Sequence, residues 1–178
     1  MKITFITGNA GKVNELSRFL AIPVEHKQLD LEEIQSLDSE EIVKDKVTRA
    51  FQILGKPVLV EDVSFVFHAL GKLPGPFIKW FLTELGNEGL CRLLDGKDRS
   101  CTATVYYGLH DGKEIHFFTG SMKGSVTTTP RGDNSFGWAP IFLPDSYDKT
   151  YAELTDDEQT PISMRNKALE KLREFLKS

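Results

Sequence analysis

Cysteine is scarce: two residues in 178, Cys91 and Cys101, with no CxxC pair and no Cys/His metal spacing. That excludes a disulfide-built secreted domain and a structural zinc site, and points to a reduced, cytoplasmic protein. No apolar run approaches the roughly 20 residues that a membrane helix needs, so no membrane partner is expected. The first residues run straight into a strand pattern, with no basic and then apolar leader. Positive charge is not in excess either, with 22 Lys and Arg against 26 Asp and Glu and a net charge of −4. Binding along a nucleic-acid backbone requires a basic surface that releases counterions, so nucleic acid is excluded as a partner. Repeats, low-complexity tracts and flexible linkers are missing as well. What remains is 40% hydrophobic and 27% charged, enough for one globular domain over 1–178, or two closely joined lobes.

Along the chain, residues 2–7 read as a buried strand and 10–20 as a helix with Val13, Leu16, Phe19 and Leu20 on one side. A second extended piece starts at Pro23. Residues 38–55 read as a helix, capped by Asp38 or Ser39 and stopped by Gly55. "PVLVEDVSFVF" reads as an apolar strand ending on Glu61 and Asp62, and "GKLPGP" as an irregular turn. Helices are predicted at 77–85 and 87–95, and strands at 101–109 and 113–120 around the hairpin turn "HDGK", with a third at 122–128. A long loop, 129–145, precedes a closing helix over 160–177 with Pro161 at its start. The order βαβαβ, then hairpins, then a helix predicts a mixed α/β fold.

Several stretches could carry chemistry. "TGNAGK", residues 7–12, lies between strand and helix, where bare N–H groups and Lys12 suit an anion; an ordinary turn capped by Asn9 is the alternative. It is neither a Walker loop nor a G-x-G-x-x-G fingerprint. "LVED" sets two carboxylates side by side at a place where open α/β sheets often bind ligands, and such a pair suits Mg²⁺. Period two points Glu61 and Asp62 to opposite faces, so only one reaches a given site unless the strand has ended. "LEEIQ", with Glu32 and Glu33, offers a further pair, or plain surface. Lys12, Lys46 and Lys79 lie on three elements, as a triphosphate would need, although each alone suits a solvated side chain. Phe136 and Trp138, in a glycine-rich loop, could stack on a base or anchor the core. Ser163 and Arg165 could meet a ligand, with Ser163 equally suited to a helix cap.

Taken in order, "TGNAGK", "LVED", "KLPGPFIKWF", "PRG…FGW", "KTYAEL" and the closing "SMRNKALEKL" resemble the inosine triphosphate pyrophosphatase family, the Ham1-like non-canonical purine pyrophosphatases, over nearly the whole chain. The resemblance implies a long curved mixed β-sheet with flanking helices, forming two lobes around an active-site cleft, and a homodimer. It implies Mg²⁺-dependent hydrolysis of a nucleoside triphosphate such as ITP, dITP or XTP to the monophosphate and pyrophosphate. It places Thr7, Gly8, Asn9 and Lys12 on the triphosphate, with Lys46 and Lys79 assisting. Glu33 and Asp62 become the metal and catalytic carboxylates, with Asp62 as the base. Phe136, Gly137 and Trp138 enclose the nucleobase, and Ser163 and Arg165 meet its edge.

Three positions depart from the family pattern: Ala139 stands where Asp is usual, Gln159 where Lys is, and Met164 where His is. All belong to the base-reading end, so base choice is expected to be relaxed or shifted. Two other readings stay open: a pyrophosphatase for another or modified nucleotide, in a Maf-like role, and a nucleotide-binding protein with weakened turnover.

Overall fold

The computed structural model describes residues 2–133 and 137–177. β1 (Ile3–Ile6) is buried at every position, as an apolar run must be when both of its faces are covered. α1 (Ala10–Leu20) follows, and β2 (Val24–Lys27) returns parallel to β1 with Ile3 opposite Val24. α2 (Ser39–Leu54) begins where the Asp38 carboxylate accepts the Glu40 and Glu41 N–H groups, and it stops at Gly55 in the left-handed region. β3 (Val58–Phe67) runs parallel to β1, and β4 (Pro74–Gly75) runs antiparallel to β3. Then come α3 (Ile78–Arg92), β5 (Ser100–His110), β6 (Ile115–Val126), β7 (Phe142–Pro144), α4 (Asp156–Gln159) and α5 (Met164–Lys177). The strands order as β2-β1-β3-β5-β6-β7, with β4 on β3, in one seven-stranded mixed sheet.

Several sequence expectations need correction. β3 does not end at Glu61 and Asp62 but continues to Phe67, because "SFVF" supplies further buried β-forming residues. Within "GKLPGP", Pro74 and Gly75 pair with Val66 and Phe65 in place of an irregular turn. The strand expected at 122–128 is the second half of β6. The closing helix starts at Met164, three residues beyond Pro161, and the short α4 precedes it under a Thr155/Glu158 capping box. The predicted break between 85 and 87 is present: Gly86 has φ 63, and it kinks α3.

The chain divides into two compact units, the first made of residues 1–62, 105–120 and 165–178, the second of 63–104 and 121–164. In the first, Ile6, Val43, Val47, Ala50, Val58 and Val60 form a buried cluster between α2 and the sheet. In the second, Phe65 packs against Phe67, Trp138 and Phe142 with ring centroids 4.6–5.7 Å apart. The two cysteines are free and buried. Among the described residues no helix is long and apolar enough to cross a membrane.

β7 lies so close to β6 that Gly124 has no room for a side chain: a Cβ there would come within 2.2 Å of the Leu143 carbonyl oxygen. Gly124→Ala is therefore expected to cost about 1–3 kcal/mol, read as a lower midpoint in urea with an unchanged slope.

Candidate active site

The loop after β1 is folded by its own side chains. The Asn9 side chain caps α1 by accepting the Gly11 N–H at 2.9 Å, and the Thr7 hydroxyl accepts the Asn9 N–H at 3.1 Å. The His26 ring meets the Thr7 carbonyl oxygen at 2.6 Å. Gly8 and Asn9 are exposed. The geometry is that of a capped turn whose tip faces solvent at a helix N-terminus, which is also what an anion site requires.

Lys12, one turn into α1, reaches across to β3, where its ammonium group donates to Glu61 Oε1 at 2.8 Å. Arg165, in the first turn of α5, lays its guanidinium on the same carboxylate: Nη2 donates to Oε1 at 2.8 Å, and Nε lies 3.4 Å from Oε2. Tyr107 on β5 donates its hydroxyl to Oε2 at 2.7 Å. The Glu61 side chain is 5% exposed. Burial alone would push its carboxyl up, but the Arg165 and Lys12 charges beside it outweigh that and hold it down at about 2. Burial also raises the Tyr107 phenol, and the Glu61 charge raises it further.

Asp62, the next residue, faces other partners, as the alternation of a strand demands. Its Oδ2 is buried and has no hydrogen-bond partner. Burial raises its carboxyl from 3.8 to about 6, the Glu33 and Glu61 charges adding to the rise, while Lys46 and a hydrogen bond from Ser39 oppose it. Lys46 on α2 is itself ion-paired with Glu33. Glu33, Lys46 and Asp62 are thus one electrostatic group, with Glu33 its most exposed member. A carboxylate oxygen that is buried but unmatched, with a second carboxylate nearby, has the hard-oxygen chemistry that suits a divalent cation. Elsewhere, Asp111, Glu114 and His116 place ligand atoms within 4.8 Å of one another. There the Asp111 carboxylate mainly ties the hairpin, accepting the Lys113 and Glu114 N–H groups.

Of the thirteen residues expected at the site, Thr7, Gly8, Asn9, Lys12, Glu33, Lys46, Asp62 and Arg165 fall in the first unit, and Lys79, Gly137, Trp138 and Ser163 in the second. Phe136 lies outside the described residues. Lys79 is exposed, 5.7 Å from the centre of the Trp80 ring. Trp138 is not an exposed stacking ring: it is 5% exposed and anchors the Phe65–Phe142 cluster. Gly137 accepts a hydrogen bond from the Asn87 side chain. Ser163 directly precedes α5, its N–H donating to the Gln159 carbonyl oxygen. The three departing positions are turned inward or occupied. Ala139 and Met164 are buried, and the Gln159 amide nitrogen donates to the Tyr151 and Leu154 carbonyl oxygens.

Tyr107 was not among the expected site residues, and Glu61 entered only as half of the "LVED" carboxylate pair. The alternation along "LVED" assigns Glu61 the face opposite Asp62, but nothing in the sequence names three partners that lie 46 to 104 residues away.

The Ham1 family model matches residues 3–175. The inosine triphosphate pyrophosphatase of Yarrowia lipolytica is 44% identical, over 99% of this chain and 96% of its own length. That of Schizosaccharomyces pombe is 41% identical, over 99% and 95%. Among solved structures, a HAM1 protein from Coxiella burnetii superposes with a TM-score of 0.85 at 25% identity, over 99% of this chain and 98% of its own. A nucleoside-triphosphatase described as a dITP/XTP pyrophosphatase from Mycobacterium abscessus superposes with a TM-score of 0.80 at 28% identity, over 97% and 98%.

Proposed function

The chain belongs to the Ham1 family, and from that premise we propose that it is a nucleoside triphosphate pyrophosphatase that hydrolyses ITP, dITP and XTP to the monophosphate and pyrophosphate. The observation that carries the reading is Asp62, a carboxyl held near 6 with one buried oxygen unmatched, in a chain 44% identical to an inosine triphosphate pyrophosphatase. A carboxyl at about 6 is mostly ionised at neutral pH yet a stronger base than an ordinary aspartate, which suits it to take a proton from an attacking water.

The residues divide the work by charge. Lys12 and Lys46 supply the cations that a triphosphate needs, and the exposed Gly8, just ahead of the α1 N-terminus, lets a phosphate approach the backbone. Asp62 and Glu33 would hold Mg²⁺, which when bound offsets the phosphate charge that builds up in the transition state. Asp62 orients and deprotonates water; Ser39 fixes the orientation of its carboxylate. Lys79, Gly137, Trp138, Ser163 and Arg165 complete the assignment that the family resemblance carries, with Arg165 meeting the edge of the base. We assign the protein to the cytoplasm, as a homodimer that clears the nucleotide pool.

Base choice should be relaxed. Ala139 and Met164 offer the base no polar group, and the Gln159 amide nitrogen is committed to backbone. Strong selectivity comes from buried polar groups that the wrong substrate leaves unpaired, and these three positions supply none. Pyrophosphate release with Mg²⁺ from ITP, dITP, XTP, GTP, ATP and dUTP tests both statements. The expected result is fastest release from the keto purines, with kcat/KM for ITP over ATP no more than roughly a hundredfold, the discrimination of one or two hydrogen bonds. Preference for a pyrimidine triphosphate would favour the Maf-like reading, and binding without release would favour a nucleotide-binding protein.

A further inference from the structure

Glu61 takes no part in the chemistry described above, yet it is among the most heavily coordinated side chains of the first unit. Its two oxygens receive Lys12 from α1, Tyr107 from β5 and two nitrogens of Arg165 from α5. We propose that Glu61 is a positioning residue that couples Lys12 to Arg165, so that the hold on the phosphate chain and the hold on the far end of the nucleotide depend on each other. The proposal rests on the pyrophosphatase reading of the site.

One carboxylate serves two cations, so Glu61 fully neutralises neither, and the Glu15 charge adds to the hold on Arg165. Both cations meet the same oxygen, Oε1, at 2.8 Å. When one of them leaves, the whole carboxylate charge falls on the other. The planar guanidinium is fixed by its fork on the carboxylate, whereas the lysine ammonium is a single point charge on a flexible stem. Lys12 is also the more exposed of the two, 28% against 13% for Arg165. Lys12 is therefore the member free to swing toward phosphate, and it does so only while Arg165 shares the load on Glu61. Groups within one such ionic network are generally non-additive in their effects.

A ligand without a base isolates this effect. Inorganic tripolyphosphate presents nothing for Arg165 to read, and its binding in metal-free buffer can be followed by calorimetry. Arg165→Ala should weaken tripolyphosphate binding about tenfold, because Glu61 then holds Lys12 alone. In the Glu61→Gln background, the same Arg165→Ala change should weaken it by less than about threefold. Equal losses in both backgrounds would overturn the coupling.

Should Glu61→Gln fail to fold by circular dichroism, Tyr107→Phe decides. It removes a neutral donor from Oε2 and leaves both cations, so KM for ITP should rise at least threefold with kcat within twofold, and folding alone does not produce that split. An unchanged KM, or a fall in kcat of the same size, would overturn the proposal. Wild-type protein that neither binds nor cleaves ITP would take the pyrophosphatase reading down, and this inference with it. Wild-type protein that cleaves ITP but shows equal losses in both backgrounds would remove the inference alone.

Discussion

Asp62→Asn should lower the turnover of ITP by on the order of a hundredfold or more, the scale of a lost general base, while making the protein harder to unfold. The second half of that expectation follows from the carboxyl being raised from 3.8 to about 6 in the folded chain. A folded state that holds a proton more tightly than the unfolded one is favoured at low pH. Asp62 therefore contributes most below about 4, and its contribution is lost as pH rises through about 6. At pH 7 and without metal, the buried charge destabilises the fold by about 3 kcal/mol, and asparagine removes it. For a chain of this length the melting temperature should rise by about 6–12 °C. Thermal scans at pH 4 and pH 7 check the sign: the wild type should gain on acidification relative to the variant. Near-normal turnover in Asp62→Asn would remove the residue from the mechanism, and a lower melting temperature at pH 7 would remove the burial argument.

The opposite behaviour is expected of its neighbour. Glu61→Ala leaves Lys12 and Arg165 facing each other with no anion between them, and breaking a buried ion pair on one side costs about 3–5 kcal/mol. Lys12 can turn part of its charge toward water, so the lower end applies and the melting temperature should fall by about 6–12 °C. Because the Glu61 carboxyl is lowered from 4.5 to about 2, its stabilising effect is fully present above about 4.5 and is lost as pH falls toward 2. The gap between wild type and variant should therefore close in acid. A gap that stays constant from pH 7 to pH 2.5 would mean that packing, not charge, accounts for the loss. Adjacent carboxylates on one strand would thus move stability in opposite directions.

The sequence made the local elements legible wherever a single chemistry dominates. Asp38 and Gly55 bound α2 because caps act within a few residues, and Gly86 breaks α3 because of its left-handed backbone. It misplaced the end of β3, since a carboxylate pair reads as a solvated strand end unless its partners are known. The partners of Glu61 come from α1, β5 and α5, and no local pattern announces them. The resemblance singles out Asp62 in the sequence, but its raised carboxyl depends on burial that only the packed fold supplies. Trp138 shows the limit for aromatics: the same loop sequence fits a surface platform or a core anchor, and packing against Phe65 decided it.

The first unit is assembled from three separated stretches of chain, and the last of them begins at Arg165. During synthesis, Glu61 and Lys12 leave the ribosome long before the arginine that completes their cluster, 104 residues after the glutamate. The second unit, residues 63–104 and 121–164, is by then fully translated. The nascent chain therefore carries an unfinished ionic centre until its last helix arrives, and contacts this distant in sequence are slow to form because the loop must close first. The order of emergence thus makes α5 a keystone, and the same arginine that the proposed function sets at the nucleotide is the one whose arrival completes the unit.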